Sequence, residues 1–380
     1  VSRRVLIKTL PLHTNYGGIL QAYALQRVIR ELGHDVLTDT STPASLRRRL
    51  RFRYWALRRA VRTMLPLRFD WSWRAGHEAA RYQRRFEAIR LRRARFVERA
   101  WSDRARARLA RRFDTFLVGS DQVWRAYYTV VPRYLFDVLP GGDGGPRRVS
   151  YAASFGVDEL SEYSDAEREE SATLLRRFDA VSVRERSGVR ICRDEFGVQA
   201  ERHVDPTMLL GAADYRALAA DAAAAVGDSA LLVFRLDESD ELAAVESAIA
   251  RRLGVSTNTL LPGPPPSTYA EYAEDPAAYD RPSVERWLAA FDAAAFIVTD
   301  SFHGCVFAIL FNRPFVVLAN QRRGAARFDT LLEVFDLRHH LVETADAPID
   351  DRVFDPDWES VNRILDRERS NALAYLRRVL

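Results

Sequence analysis

Residues Phe296 to Pro314 read FIVTDSFHGCVFAILFNRP, and no other stretch restricts the fold of this 380-residue chain as tightly. The apolar run Phe296-Ile297-Val298 stops at Thr299-Asp300-Ser301-Phe302-His303-Gly304, and a second apolar run, Val306 to Phe311, begins at once. That pattern predicts a buried strand, a short polar turn and a buried helix. His303 then sits where a helix begins, beside backbone N–H groups with no intrahelical partner and the positive end of the helix dipole. It is either a cap or satisfied core group, or a titratable side chain at an anion site.

The same alternation runs along the chain. Arg4 to Leu10 reads as a buried strand, Pro11 to Gly17 as a loop, Gly18 to Leu32 as a helix closed by Gly33, and His34 to Leu37 as a strand, which makes a β-α-β unit. Further strands are predicted at Thr115–Val118, Arg148–Ala152, Ala180–Val183 and His203–Val204, with helices at 166–177 and 186–196. After Asp205-Pro206-Thr207 a second series begins. Its strands fall near 229–235, 257–261, 295–299 and 315–318, and its helices near 239–253, 283–291, 303–311 and 327–335, before a last helix at about 357–378. The stretch Leu261 to Pro266, LPGPPP, reads as a rigid loop inside that series. Two α/β series predict two doubly wound, Rossmann-like domains facing across a cleft. We place them at 1–210 and 211–355, with a C-terminal helix at 356–380.

Segment 42–112 breaks the alternation and reads as an Arg-rich helical insertion in the first domain. It holds 23 arginines against Asp70, Glu78, Glu87, Glu98 and Asp103, although the whole chain carries a net charge of only +5. Leu50, Tyr54, Leu57, Val61 and Met64 share one helical face, with Trp55, Trp71 and Trp73 close by. The segment is either an ordinary packed helix with a solvated face or a surface that lies on anionic lipid. A basic block on an otherwise acidic body fits an anionic partner surface better than nucleic acid, and no nucleic-acid partner is expected.

Composition removes several chemistries. Lys8 is the single lysine beside 56 arginines, so a Schiff-base lysine could only be Lys8. No G-x-x-x-x-G-K-[ST] loop and no G-x-G-x-x-G fingerprint is present, and no spacing suits a metal. Cys192 and Cys305 read as buried thiols. No apolar stretch reaches the roughly 18 residues of a membrane span, so a cytoplasmic location is expected.

Polar clusters fall at the predicted strand ends, where doubly wound folds bind ligands. Asn15-Tyr16-Gly17-Gly18 follows the first strand, with glycines that suit either a tight turn or close approach to an anion. Gly119-Ser120-Asp121-Gln122-Val123-Trp124 follows the strand at 115–118, and Trp124 is either a sugar platform or core. Arg184-Glu185 ends another strand, where Arg184 is either a surface or ion-paired residue or a guanidinium fork that holds a carboxylate or phosphate. Asp205 before Pro206 is a turn former or a cleft residue.

Taken in order, these pieces resemble the polysaccharide pyruvyl transferase family. The matching motifs are Asn15–Gly18 with Gln21–Gln26, Gly119–Trp124, Ser150–Gly156, Ser182–Glu185, Val204–Thr207, Thr299–Gly304 and Arg327–Leu332. The resemblance implies a GT-B-like fold and transfer of the pyruvyl group of phosphoenolpyruvate to two sugar hydroxyls, with phosphate released and no cofactor. It implies His303 as the catalytic residue, and Arg184, Ser301, Gly304, Arg323 and Arg327 around the donor. Asn15, Gly17, Gly18, Ser120, Asp121, Gln122, Glu185 and Asp205 are expected to line the acceptor side or the cleft. The implied partners are phosphoenolpyruvate and a sugar acceptor, lipid-linked where 42–112 meets the inner face of the membrane. Many members carry Arg two residues before the histidine, where this chain has Ser301, so Arg323 or Arg327 is expected to supply the missing cation. A nucleotide-sugar glycosyltransferase of the same architecture, or a member acting on a non-polysaccharide acceptor, are the alternatives.

Overall fold

A computed structural model describes residues 1–12, 15–39, 93–94, 103–140, 144–223, 229–237, 239–260, 274–275, 281–318, 324, 326–344 and 347–380. Seven strands come from the first half of the chain: β1 (Arg4–Lys8), β2 (Asp35–Asp39), β3 (Arg93–Ala94), β4 (Thr115–Val118), β5 (Arg147–Ser150), β6 (Ser182–Val183) and β7 (Glu201–Arg202). Five come from the second: β8 (Ser229–Phe234), β9 (Thr257–Thr259), β10 (Ala294–Thr299), β11 (Phe315–Leu318) and β12 (Leu341–Val342). The helices that position the site are α1 (Tyr16–Glu31), α2 (Arg186–Asp194), α3 (Val284–Ala293), α4 (Phe302–Leu310), α5 (Ala326–Val334) and α6 (Trp358–Val379).

Both sheets are parallel and wound alike. The first runs β3-β2-β1-β4-β5, and the second β12-β11-β10-β8-β9. The parallel pair β6-β7 carries the first sheet onward through bridges from Val149 to Ala180 and from Ala153 to Val183. In each sheet the chain winds outward from a central strand and then returns to that strand's other side. The reversal lies between β1 and β4 in one sheet and between β8 and β10 in the other. Loops beyond the C-terminal ends of the strands diverge at such a point and leave a crevice. The clusters after β1 and β4 lie at the first of these reversals, and the cluster after β10 lies at the second. The expected α/β fold with two Rossmann-like domains is the observed one.

The strands form because their side chains leave water on both faces. Val5, Leu6 and Ile7, Phe116 to Val118, and Phe296 to Val298 are all buried. One apolar cluster crosses the halves, with Tyr16 stacked on Trp287 at 5.3 Å between ring centroids and its hydroxyl donating to Pro282 O at 2.9 Å. Lys8, the single lysine, is buried in an ion pair with Asp39 at 3.1 Å.

Helix α6 returns to the first half. Tyr375 Oη donates to Ser150 O at 2.9 Å, Arg369 Nε donates to Met208 O at 2.9 Å, and Arg202 and Arg378 pair with Glu368 and Glu201. His203 lies inside this clasp, 4.5 Å from the Tyr375 ring centroid and 2.9 Å from Ser182 Oγ. Burial, helped by the charges of Arg202 and Arg378, lowers the His203 pKa to about 4. Its imidazole is neutral in the fold but takes a proton in the unfolded chain below about pH 6.5, so stability is full above that pH and is lost as pH falls toward 4. The depression corresponds to about 3 kcal/mol. Urea midpoints of the parent should fall between pH 7 and pH 5, and His203→Gln should flatten that slope; an equal slope in both proteins would refute the assignment.

Three expectations change. The Arg-rich segment is not helical throughout, because Arg93–Ala94 pair with Thr38 and Asp39 as the edge strand of the first sheet. An edge strand bonds through its backbone on one side only and needs no apolar face, so no alternation marks it in the sequence. The strand expected at His203–Val204 lies at Glu201–Arg202, with the His203 N–H still donating to Val183 O at 3.0 Å. A helix at Ala212–Ala223 had no counterpart, since its Ala-rich sequence shows little apolar periodicity. The Leu261–Pro266 loop and the aromatic and apolar face of 42–112 lie outside the described residues. Among the described residues, no helix is long and apolar enough to cross a membrane.

Candidate active site

Two helix starts, one from each half of the chain, meet at His303. Asn15 caps α1, its Oδ1 accepting from the Gly18 N–H at 3.1 Å. Ser301 caps α4, its Oγ accepting from the Gly304 N–H at 3.3 Å while its own N–H donates to Thr299 Oγ1 at 3.0 Å. The His303 ring lies directly on Gly17: a Cβ added to that glycine would stand 2.0 Å from His303 Cγ. Only glycine lets the first turns of α1 and α4 come this close. Both helix dipoles present their positive ends at this junction.

A carboxylate gathers the groups around it. Asp205 Oδ2 accepts from Arg184 Nη1 at 2.8 Å and lies 3.5 Å from Ser120 Oγ and 3.6 Å from His303 Nε2. Asp205 Oδ1 accepts from the Thr207 N–H at 3.0 Å and from Thr207 Oγ1 at 2.8 Å. Burial alone would raise this carboxyl, but His303 and Arg184 beside it hold it well below the usual carboxylate range. Asp205 is thus more than a turn former. It is the anionic hub of the junction.

His303 is buried, and its Nε2 finds no hydrogen-bond partner among the described residues. At 3.6 Å the Asp205 oxygen faces Nε2 without accepting a hydrogen bond from it. That leaves Nε2 available to an incoming group.

Arg184 is not a free fork. Besides Asp205 it meets Asp121 Oδ1 at 3.4 Å, and its guanidinium carbon lies 4.1 Å from the centroid of the Phe302 ring. Burial would lower its pKa, yet Asp205 and Asp121 raise it, so it stays charged. Arg327 lies 5.7 Å from the same ring centroid and is also buried. Burial and the nearby charge of Arg184 lower the Arg327 pKa to about 10, so it remains a cation at neutral pH. Among the described residues it makes one hydrogen bond, from Nε to Gly324 O at 3.3 Å, and no ion pair. Arg327 therefore carries the least compensated positive charge of the junction. Arg323 lies outside the described residues.

The remaining expected residues divide. Ser120 is buried, with its N–H on Gln21 Oε1 at 2.9 Å and its hydroxyl on Ala152 O at 2.5 Å. Asp121 takes a positive φ of 72° to aim at Arg184. Glu185 Oε1 accepts from Ser154 Oγ at 2.9 Å and from the Phe155 N–H at 2.7 Å, and burial raises its carboxyl above the ordinary range. Gln122 turns away to accept from Arg125 Nη1 at 3.1 Å. Asn15 and Gly18 act on the junction only by capping α1. Trp124 is core, 1% exposed and 5.3 Å from Phe155. Gln21 and Phe302 were not singled out from the sequence; a buried Gln on an apolar helix face is the mark that could have pointed to the first.

A family model for polysaccharide pyruvyl transferases matches residues 15–322, from the α1 cap past His303. The chain belongs to the polysaccharide pyruvyl transferase family. Family membership implies a pyruvyl transferase enzyme that uses phosphoenolpyruvate and a sugar acceptor. Among solved structures, the chain is similar to the UDP-GlcNAc 2-epimerase of Neisseria meningitidis bound to UDP-GlcNAc. Identity there is 11%, coverage is 97% of this chain and 94% of that one, and the TM-score is 0.50. It is also similar to Arabidopsis thaliana UGT89C1 complexed with UDP-L-rhamnose, at 10% identity, 99% and 98% coverage and a TM-score of 0.49. At 11% identity the likeness to the epimerase speaks for the GT-B-like fold alone. No curated protein matches the chain in sequence.

Proposed function

We propose that this chain transfers the pyruvyl group of phosphoenolpyruvate onto two hydroxyls of one sugar residue, forming a ketal and releasing phosphate in cell-surface or exopolysaccharide biosynthesis. The observation that carries the reading is the meeting of two helix starts and two buried guanidiniums at one histidine with an unfilled Nε2. Phosphoenolpyruvate brings a phosphate and a carboxylate to such a place, and both want cationic surroundings.

The chemistry needs a proton at the donor's methylene carbon, which makes the neighbouring carbon electrophilic. His303 Nε2 supplies that proton as general acid, and Asp205 keeps the imidazolium oriented. A first sugar hydroxyl attacks the electrophilic carbon and loses its proton to the neutral imidazole. The imidazolium returns that proton to the departing phosphate, which leaves as hydrogen phosphate. A second hydroxyl takes its place and closes the ketal as its own proton passes to the imidazole. Arg327 holds the donor's anionic end, in the role that Ser301 cannot fill. Arg184, already paired with Asp205, fixes the hub and contributes charge at longer range.

The acceptor belongs to the same proposal as a sugar on a lipid carrier at the cytoplasmic face of the membrane. The 23 arginines of segment 42–112 are the sequence feature that fits an anionic lipid surface.

A thermal-shift series tests the donor. Phosphoenolpyruvate at about 100 times its Kd should raise the melting temperature by roughly 2–4 °C, and UDP- or GDP-sugars should not. Arg327→Met should remove the shift. A shift with UDP-sugars alone would replace this reading by the nucleotide-sugar alternative. Mass analysis of glycosides incubated with phosphoenolpyruvate then looks for the added pyruvyl group.

A further inference from the structure

The loop after Trp124 exposes what most of the surface hides. Large apolar or aromatic side chains are exposed at Val1, Tyr127, Tyr128, Val130, Leu236 and Leu253 among the described residues, so half of them fall within 127–130. Tyr127 is 76% exposed and Tyr128 43%. Their rings meet edge to face, 5.2 Å between centroids at 74°, and form a right-angled aromatic corner open to solvent.

The corner is built, not loose. Arg125 lies beneath both rings, its guanidinium carbon 5.6 Å from the Tyr127 centroid and 5.0 Å from that of Tyr128. Glu162 grips Arg125 at 2.9 Å and accepts the Tyr127 N–H at 3.1 Å. Thr129 Oγ1 donates to Val123 O at 3.1 Å, and the Tyr128 N–H to Arg125 O at 3.0 Å. Exposed aromatic area held rigid at this expense of polar partners has lost its entropy before any ligand arrives.

Its place is the rim of the junction. Arg125 Nη1 donates to Gln122 Oε1 at 3.1 Å, and Gln122 packs on Gly156 so closely that a Cβ there would stand 2.2 Å from its Oε1. Gly156 in turn touches Gly324 of the other half, whose added Cβ would stand 1.7 Å from Gly156 O. Gly324 O holds Arg327 Nε. A short run of contacts thus leads from the aromatic corner to the cation assigned to the donor.

We propose that Tyr127 and Tyr128 form the acceptor subsite, a platform on which one hexopyranose ring of the acceptor stacks while its hydroxyls reach toward His303. The C–H face of a pyranose is apolar and flat enough to cover an aromatic ring, and its equatorial hydroxyls suit the phenol of a second ring set at a right angle. The subsite rests on the pyruvyl-transfer reading for its purpose, but its binding can be measured without turnover.

The experiment uses the full chain, phosphoenolpyruvate, and methyl hexopyranosides of the gluco, galacto and manno series as probes, read by saturation-transfer NMR titration. At least one glycoside should bind the parent through its ring protons. The double variant Tyr127→Ala/Tyr128→Ala should weaken it by about tenfold, while Tyr127→Phe/Tyr128→Phe should keep most of the affinity. All three proteins should melt alike and show the same phosphoenolpyruvate shift, since both rings are on the surface. Undiminished glycoside binding in the alanine variant, or no glycoside binding to the parent, would overturn the subsite. Loss of glycoside binding in that variant, together with no phosphoenolpyruvate shift in the parent, would keep the subsite and remove the donor assignment instead.

Discussion

Replacing His303 with alanine is expected to lower kcat for phosphate release from phosphoenolpyruvate by roughly 10²- to 10⁴-fold in the presence of acceptor. The expected cause is loss of the one buried group at the junction whose ring nitrogen is unfilled and which faces both a carboxylate and a helix start. Donor binding should survive, because Arg327 and the helix N-termini remain, so the phosphoenolpyruvate-induced thermal shift is the internal control. Turnover equal to the parent would remove His303 from the mechanism. Gly17→Ala gives an independent check that leaves His303 itself in place. Its Cβ would fall 2.0 Å from the imidazole, so the ring must move, and activity should drop with no titratable group altered.

Replacing Asp205 with alanine is expected to have the largest effect on stability. The carboxylate is buried and accepts from Arg184 at 2.8 Å and from Thr207 at 2.8 Å and 3.0 Å. Its removal leaves the buried Arg184 guanidinium with Asp121 at 3.4 Å as its remaining partner. Stripping one member from a buried pair costs about 3–5 kcal/mol, mostly because the other charge stays in a poor solvent. Urea unfolding at pH 7 should show that loss. Asp205→Asn keeps the shape and an acceptor for the Thr207 N–H, so it should lose less stability than the alanine variant. Both should turn over slowly, since neither presents a carboxylate to His303 Nε2. An unfolding midpoint unchanged in Asp205→Ala would show that the hub carries no net stability.

How far the sequence revealed this site depends on the residue. His303 and Ser301 were readable because the turn between β10 and α4 is local: Thr299 to Gly304, polar or small but for Phe302, lie between two apolar runs. Gly17 was readable as a helix-start glycine, but its contact with His303 was not, because nothing near either residue names the other. Arg184 read as either an anion-holding fork or an ordinary ion-paired residue at a strand end. Its pairing with Asp205 and Asp121 follows from strand neighbours that the residue's own surroundings do not encode. Trp124 and the Tyr127–Tyr128 pair show the same limit from the other side. Local composition left the tryptophan as either a sugar platform or core, and packing against Phe155 makes it core, while Arg125 and Glu162 hold the two tyrosines out in water.

The sequence by itself determined the elements, their alternation, the two α/β series and the placing of a histidine at a helix start. Apolar periodicity and caps are short-range properties, and a helix satisfies most of its hydrogen bonds within its own segment. Only the tertiary structure decided which strand ends come together, and so which of 56 arginines reach the Phe302 ring and the Asp205 carboxylate beside His303. That choice follows from the order β3-β2-β1-β4-β5 in one sheet and its counterpart in the other. Strand order depends on which buried faces pack together across the whole chain, so no window of sequence contains it.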